Sequence, residues 1–185
     1  MGAIFFLVLF LITIISLGVV VFVLYITFIG DIYGAPFTKS NQLEIQTMLD
    51  FAAIKSSETI FDLGSGDGTL LIEAAKRGAT KAVGIELNPF LVLYSRIRLR
   101  LLGYEDKVSV KWGDFKKFSL KNADVIFLYL LPKTINNLQK KLSRELKVGA
   151  RTVSNGAQLE GRISEGERNN VFLYRNFLSC QTKKN

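Results

Sequence analysis

The sequence predicts an α/β fold: a mostly parallel sheet with helices on both faces and an antiparallel last strand, preceded by one apolar helix. Three observations carry this reading. From Thr59 onward, short apolar runs alternate with helical patterns, which implies parallel strands joined by crossover helices. The first crossover opens with a glycine-rich turn, Asp62-Leu63-Gly64-Ser65-Gly66-Asp67-Gly68, and the next strand ends in the acid Glu86. Finally, Met1 to Gly30 contains no charged side chain.

Each element can be justified in turn. Ala3 to Ile29 is almost wholly apolar. At ~1.5 Å per residue it spans about 40 Å as a helix, enough to cross a ~30 Å hydrocarbon core with tilt. It lacks the basic start and short apolar run of a signal peptide, and it has no polar face for a buried core helix. Residues 1–30 are expected to be a single-pass transmembrane anchor. All 24 Lys/Arg and all 16 Asp/Glu follow it, with a net charge of +8. Basic residues stay on the cytoplasmic side, so the remainder is expected on the cytoplasmic, or equivalent inner, face. Residues 31–41, with Gly34 and Pro36, form a linker, and residues 42–185 form the domain.

Leu43, Ile45, Leu49 and Ala52 give a helical period ending near Lys55. The alternation then reads strand 59–63, helix 69–77, strand 81–86, helix 89–102, strand 107–112, strand 123–129, helix 133–146 and strand 150–154. Asn88 suits the N-cap and Pro89 the first helical position of the second crossover. Ile135, Leu138, Leu142 and Leu146 make the core stripe of the late helix. Gln158 to Asn170 reads as a polar loop, and Val171 to Leu178 as a final, antiparallel strand. The chain has one cysteine, Cys180, and no histidine. No internal disulfide, zinc site or histidine-based triad can be built, and no metal is expected.

A glycine turn with an acid about twenty residues on also serves dinucleotides, so the glycines alone decide little. The acids separate the ligands. Asp62 and Asp67 would face the phosphates of a dinucleotide. Like charges ~4 Å apart cost on the order of 4 kcal/mol even at an effective dielectric of ~20. S-adenosylmethionine has no phosphate and carries an ammonium and a sulfonium. The plainer alternative is a tight turn whose acids cap the next helix, although that leaves Glu86 unexplained. On the ligand reading Gly64, Ser65, Gly66 and Gly68 cradle the cofactor, and Glu86, with Leu87 and Asn88, takes the ribose hydroxyls. Asp114 accepts from the adenine amino group with Phe115 beside the ring. Asp114 also suits a simple Gly-Asp turn.

These motifs resemble those of class I S-adenosylmethionine-dependent methyltransferases, whose fold is Rossmann-like. The closer likeness is to the membrane-anchored protein-lysine methyltransferases of the ATP synthase c subunit and adenine nucleotide translocase type. It rests on Ala35-Pro36-Phe37-Thr38 with the following Gln/Glu-containing helix, on Asp62 to Gly68, on Gly84 to Arg96, and on Lys140 to Leu146 before Gly149-Ala150-Arg151. Where such enzymes continue past the fifth strand with an aromatic, proline-rich segment, this chain reads Ser154-Asn155-Gly156-Ala157-Gln158. The resemblance implies S-adenosylmethionine as cofactor, a lysine of a membrane-associated protein as acceptor, and Phe37 closing over the methionine end; an ordinary linker aromatic is the equal alternative for Phe37.

Ligands of open α/β sheets sit at the carboxyl ends of the strands, so Phe127-Leu128-Tyr129-Leu130-Leu131-Pro132 should border the reacting methyl group. The Asp/Asn-Pro-Pro-Tyr motif of base-amino methyltransferases is absent there, which argues against nucleic acid as substrate. Tyr129 is the candidate for orienting the acceptor; a strand tyrosine packed under a helix is the alternative. A lysine acceptor starts near pKa ~10.4, and burial beside a sulfonium helps it lose a proton. Two further readings keep the cofactor: methylation of a lipid, quinone or other membrane-associated small molecule, or binding without turnover.

Overall fold

The computed structural model describes residues 2–33 and 41–175. They divide into two compact units, Met1–Pro36 and Phe37–Asn185. The first is a single helix, α1 (Gly2–Tyr33). Its stretch Gly2–Tyr25 is long and apolar enough to cross a membrane, and none of it is buried within the chain. The hydroxyl of Thr13, one of its few polar groups, donates to the Leu9 carbonyl at 2.8 Å, so it needs no water. The helix runs on through Tyr33, which makes the first three residues of the expected 31–41 linker helical.

The second unit holds α2 (Gln42–Ala52), β1 (Thr59–Leu63), α3 (Thr69–Lys76), β2 (Lys81–Glu86), α4 (Pro89–Leu101), β3 (Val108–Trp112), a single 3₁₀ turn (Phe115–Lys117), β4 (Val125–Leu128), α5 (Pro132–Glu145), β5 (Arg151–Asn155), β6 (Gly166–Arg168) and β7 (Val171–Arg175). Seven strands form one sheet in the order β3-β2-β1-β4-β5-β7-β6. β1 to β5 are parallel; β7 runs antiparallel to β5, and β6 antiparallel to β7. This is the Rossmann-like, mostly parallel arrangement that the sequence predicts.

Both faces of the sheet are covered, which is why the central strands are apolar at successive positions. Ile60, Ala82, Val125, Phe127 and Val153 pack on one side with α2, α3 and α4, through Met48, Leu49, Leu71, Val92 and Leu99. Phe61, Leu63, Ile85, Ile126 and Leu128 point the other way, onto Ile135, Leu138 and Leu142 of α5. Alternate residues of one strand therefore serve opposite cores.

The expected loop 158–170 is not wholly irregular. It contains β6, and Asn169 and Asn170 (φ 53° and 60°) form a two-residue hairpin turn into β7. Asn169 donates through Nδ2 to Thr47 Oγ1 at 2.9 Å, tying this hairpin to α2. The strand expected at 123–129 is shorter, so Tyr129 lies just beyond β4 rather than inside it.

Candidate functional site

The chain turns one way from β1 through β2 to β3, then returns to the other side of β1 with β4 and β5. Such a switch point leaves a crevice at the carboxyl ends of the strands. Five of the predicted site residues, Gly64, Ser65, Gly66, Asp67 and Gly68, form the turn that follows β1 at its carboxyl end.

Gly64, Gly66 and Gly68 hold φ values of 83°, 54° and 76°, in the left-handed region that favours glycine. At Gly64 a Cβ would also lie 2.9 Å from Leu130 Cδ2, so that the leucine side chain would have to shift. The loop lies directly on β2. Its Gly64 N–H donates to the Ile85 carbonyl at 2.8 Å. A Cβ on Gly84 would come within 2.5 Å of Ser65 Oγ. That hydroxyl is buried and has no hydrogen-bond partner among the described residues.

Glu86, at the end of β2, fastens this loop. One carboxylate oxygen accepts from Gly66 N at 2.9 Å, and the other from Asn88 N at 2.8 Å. Asn88 in turn caps α4, accepting from Phe90 N at 2.9 Å. Each carboxylate oxygen of Glu86 keeps a lone-pair site for a further donor. Leu87 is exposed, and its carbonyl accepts from Trp112 Nε1 at 3.0 Å.

The loop acids play different parts. Asp62 is 4% exposed, and burial, reinforced by the charges of Glu86 and then Asp67, pushes its carboxyl up to about 7. A cation arriving beside it would reverse that shift. Asp67 instead accepts from Thr69 N at 3.0 Å and pairs with Arg98 of α4 at 3.0 Å. Arg98 also donates to the Asp67 carbonyl. The negative charge read from the sequence at this position is therefore largely answered by Arg98, and the N-cap of α3 is Gly68, without a side-chain cap, Asp67 standing one residue before it.

Asp114 caps the 3₁₀ turn, accepting from Lys116 N at 2.9 Å, and Phe115 packs partly into the core on the α5 side. Both stand at the end of β3, and the Gly113 N–H bonded to the Glu86 carbonyl at 2.9 Å brings them beside β2. Phe37 lies outside the described residues.

On the β4 side, Leu63, Leu128 and Ser154 stand in register across β1, β4 and β5. Gly64, Tyr129 and Asn155 each come one residue after that rank. Burial, then the nearby charge of Glu44, raises the Tyr129 phenol above its ordinary value. A Cβ on Gly156 would meet the Tyr129 ring at 3.3 Å. Asn155 is 1% exposed and donates through Nδ2 to Glu44 Oε2 at 2.9 Å. Its Oδ1 has no partner among the described residues. An unpaired buried amide oxygen costs about 1–3 kcal/mol, so its presence calls for a reason.

Glu44 and Asn155 escaped the sequence reading. Glu44 looks like the third residue of an ordinary capping box, and it is one: its Oε2 accepts from Asn41 N at 3.2 Å. Its bond to a residue 111 positions away has no local signature.

Residues 62–165 match the model of the ANTKMT methyltransferase domain. The chain is 30% identical over 148 residues to the protein-lysine N-methyltransferase of Saccharolobus islandicus, covering 75% of this chain and 92% of that one. It is 33% identical over 119 residues to the adenine nucleotide translocase lysine N-methyltransferase of Mus musculus, covering 64% of this chain but only 52% of the mouse one. The crystal structure of an RNA methyltransferase from Salinibacter ruber, in complex with S-adenosyl-L-homocysteine, superposes with a TM-score of 0.70 at 30% identity, covering 75% of this chain and 92% of that one.

Proposed function

The chain belongs to the ANTKMT methyltransferase family and is an S-adenosylmethionine-dependent methyltransferase; from that premise we propose that it methylates a lysine side-chain amine of a protein at a membrane. One observation supports this reading most. Asp62, Glu86 and Glu44 gather at the carboxyl ends of the strands, and among the described residues none of them pairs with a Lys or Arg. Unanswered carboxylates suit two cationic partners, a sulfonium and an ammonium.

The residues present fit the cofactor. Ser65 Oγ is buried without a partner among the described residues, and burial raises the Asp62 carboxyl to about 7; both are satisfied by a ligand that is cationic and rich in hydrogen-bonding groups. In this reading Gly64, Ser65, Gly66 and Gly68 cradle it, Asp62 answers its ammonium, and Glu86 receives the ribose hydroxyls beside Leu87 and Asn88. Asp114 and Phe115 take the adenine. When bound, S-adenosylmethionine supplies an electrophilic methyl carbon on a positively charged sulfur.

The chain's own groups then align the acceptor and exclude water. Leu130, whose Cδ2 lies against Gly64, supplies apolar surface between the loop and β4. Tyr129 stands at the rim where an acceptor enters, with its phenol kept protonated.

In the same proposal, residues 1–30 serve as a single-pass anchor, 31–41 as the tether and 42–185 as the catalytic domain, on the cytoplasmic or equivalent inner face. Confinement to one bilayer raises the effective concentration of a membrane-protein substrate. The Saccharolobus and mouse relatives are named for lysine methylation. The Salinibacter relative is described as acting on RNA, which gives a second reading; the Tyr129-Leu130-Leu131-Pro132 segment, lacking Asp/Asn-Pro-Pro-Tyr, speaks against it.

Membranes incubated with the full-length protein and methyl-labelled cofactor test the proposal. Label recovered as methyl-lysine after protein hydrolysis is the expected result. Label in the organic extract would establish a lipid or quinone acceptor instead, and label in the RNA fraction would establish the second reading.

A further inference from the structure

We propose that Glu44 and Asn155, with the Tyr129 phenol, form a site that binds a primary ammonium group and presents it to the crevice beside the glycine loop. The inference rests on the amine-acceptor reading above and assigns it a place.

Two side chains carry it. The Glu44 carboxylate is fixed from both sides, since one oxygen accepts from Asn41 N at 3.2 Å and from Asn155 Nδ2 at 2.9 Å. Among the described residues its other oxygen has no hydrogen bond, and no cation stands within ion-pair distance. A carboxylate positioned in this way, half-buried and unanswered, has its direction set before any ligand arrives.

Asn155 supplies the second half. Its amide orientation follows from chemistry: with Nδ2 donating to Glu44, the oxygen is left over, and the reverse would set two acceptors against each other. That oxygen is buried, unpartnered among the described residues, and borne on the last residue of β5. Gly156 follows with φ 78°, and Tyr129 fills the space that a side chain at Gly156 would need.

The site therefore offers a carboxylate oxygen, an amide oxygen and a phenol oxygen. A donor-only group with positive charge matches this set, and an ammonium has three N–H donors and no acceptor. A carboxylate or phosphate ligand would meet like charge. Register gives the site its place: Gly64, Tyr129 and Asn155 each follow by one residue the Leu63-Leu128-Ser154 rank of three adjacent strands, so an amine held by Asn155 and Glu44 lies on the path from the rim to the loop.

A binding experiment that needs no turnover tests this. The probes are two analogues of S-adenosylhomocysteine with nitrogen in place of sulfur, one bearing a 3-aminopropyl arm and the other a butyl arm. The full-length protein in detergent micelles should bind the amino arm at least 10-fold more tightly than the butyl arm by calorimetry. Glu44→Gln and Asn155→Leu should each reduce that preference to under 2-fold, while affinity for S-adenosylhomocysteine itself is kept. No preference in the wild type, or a preference surviving in both variants, overturns the proposal. If a variant fails to fold, the wild-type comparison of the two arms still decides. The lysine reading fails separately: label in an aminolipid with the arm preference intact would remove protein lysine and leave the ammonium site standing.

Discussion

The two ends of the sheet treat their carboxylates differently. At the amino ends, Asp124 pairs with Lys147 at 2.6 Å and accepts from Thr59 N at 2.8 Å. Glu58 pairs with Arg151 and accepts from Lys55 N at 2.8 Å. Pairing with Lys147 is one of the forces holding the Asp124 carboxyl below its ordinary value, against the upward pull of burial. At the carboxyl ends Asp62, Glu86 and Glu44 have no such partner among the described residues, and Asp62 is pushed the opposite way. Asp67, paired with Arg98, is the exception at that end; the other three carboxylates leave it open where the same chemistry closes the amino ends. A charge balanced within the chain stabilises the chain; one left unbalanced is available to a ligand.

The contrast can be broken most readily at its closed end. Glu58→Ala strands the Arg151 guanidinium, whose side chain is only 12% exposed, and should cost about 3 kcal/mol of stability. The chemical-denaturation midpoint should fall while S-adenosylmethionine affinity stays within 2-fold. Equal losses in both would dissolve the distinction between the ends.

At the open end the pattern should invert. Glu86→Ala removes a charged acceptor from two backbone donors and from the ribose, so cofactor affinity should fall about 100-fold, near 3 kcal/mol. Calorimetry showing unchanged affinity would remove Glu86 from the site.

Asp62 sharpens the comparison through pH. Its carboxyl is raised in the folded state, so between the ordinary value of 3.8 and about 7 the folded protein holds a proton that the unfolded chain has lost. Stability of the cofactor-free protein should therefore decline as pH rises across that window and level off above it. Cofactor affinity should climb over the same range, with about half a proton released per cofactor bound at pH 7. Asp62→Asn should abolish the proton release, measured by calorimetry in buffers of different ionisation enthalpy. Release persisting in that variant would assign it elsewhere. The smallest effect is expected at Asn41→Ala, where loss of the cap on α2 should cost about 1 kcal/mol in thermal stability.

Much of this was legible in the sequence because the informative contacts are local. The change from short apolar runs to helical periods locates β1 to β5 and the helices between them, and Asn88-Pro89 marks the start of α4. β6 was missed although Asn169-Asn170 is itself a turn signal, because Gly166-Glu167-Arg168 is too polar and short to read as a strand; it is an edge strand, where charge discourages pairing with other chains. The Asp67–Arg98 pair and the Glu44–Asn155 bond join residues 31 and 111 positions apart. Such pairs are created by the winding of the sheet, and no spacing rule along the chain announces them.

One clasp has a consequence for kinetics. Because Glu86 already grips Gly66 and Asn88, the turn that meets the ligand is shaped in advance, and little backbone order remains to be acquired upon arrival. Capture of the cofactor should therefore follow a single exponential whose rate grows linearly with its concentration, as expected of simple encounter, with no plateau from a slow rearrangement.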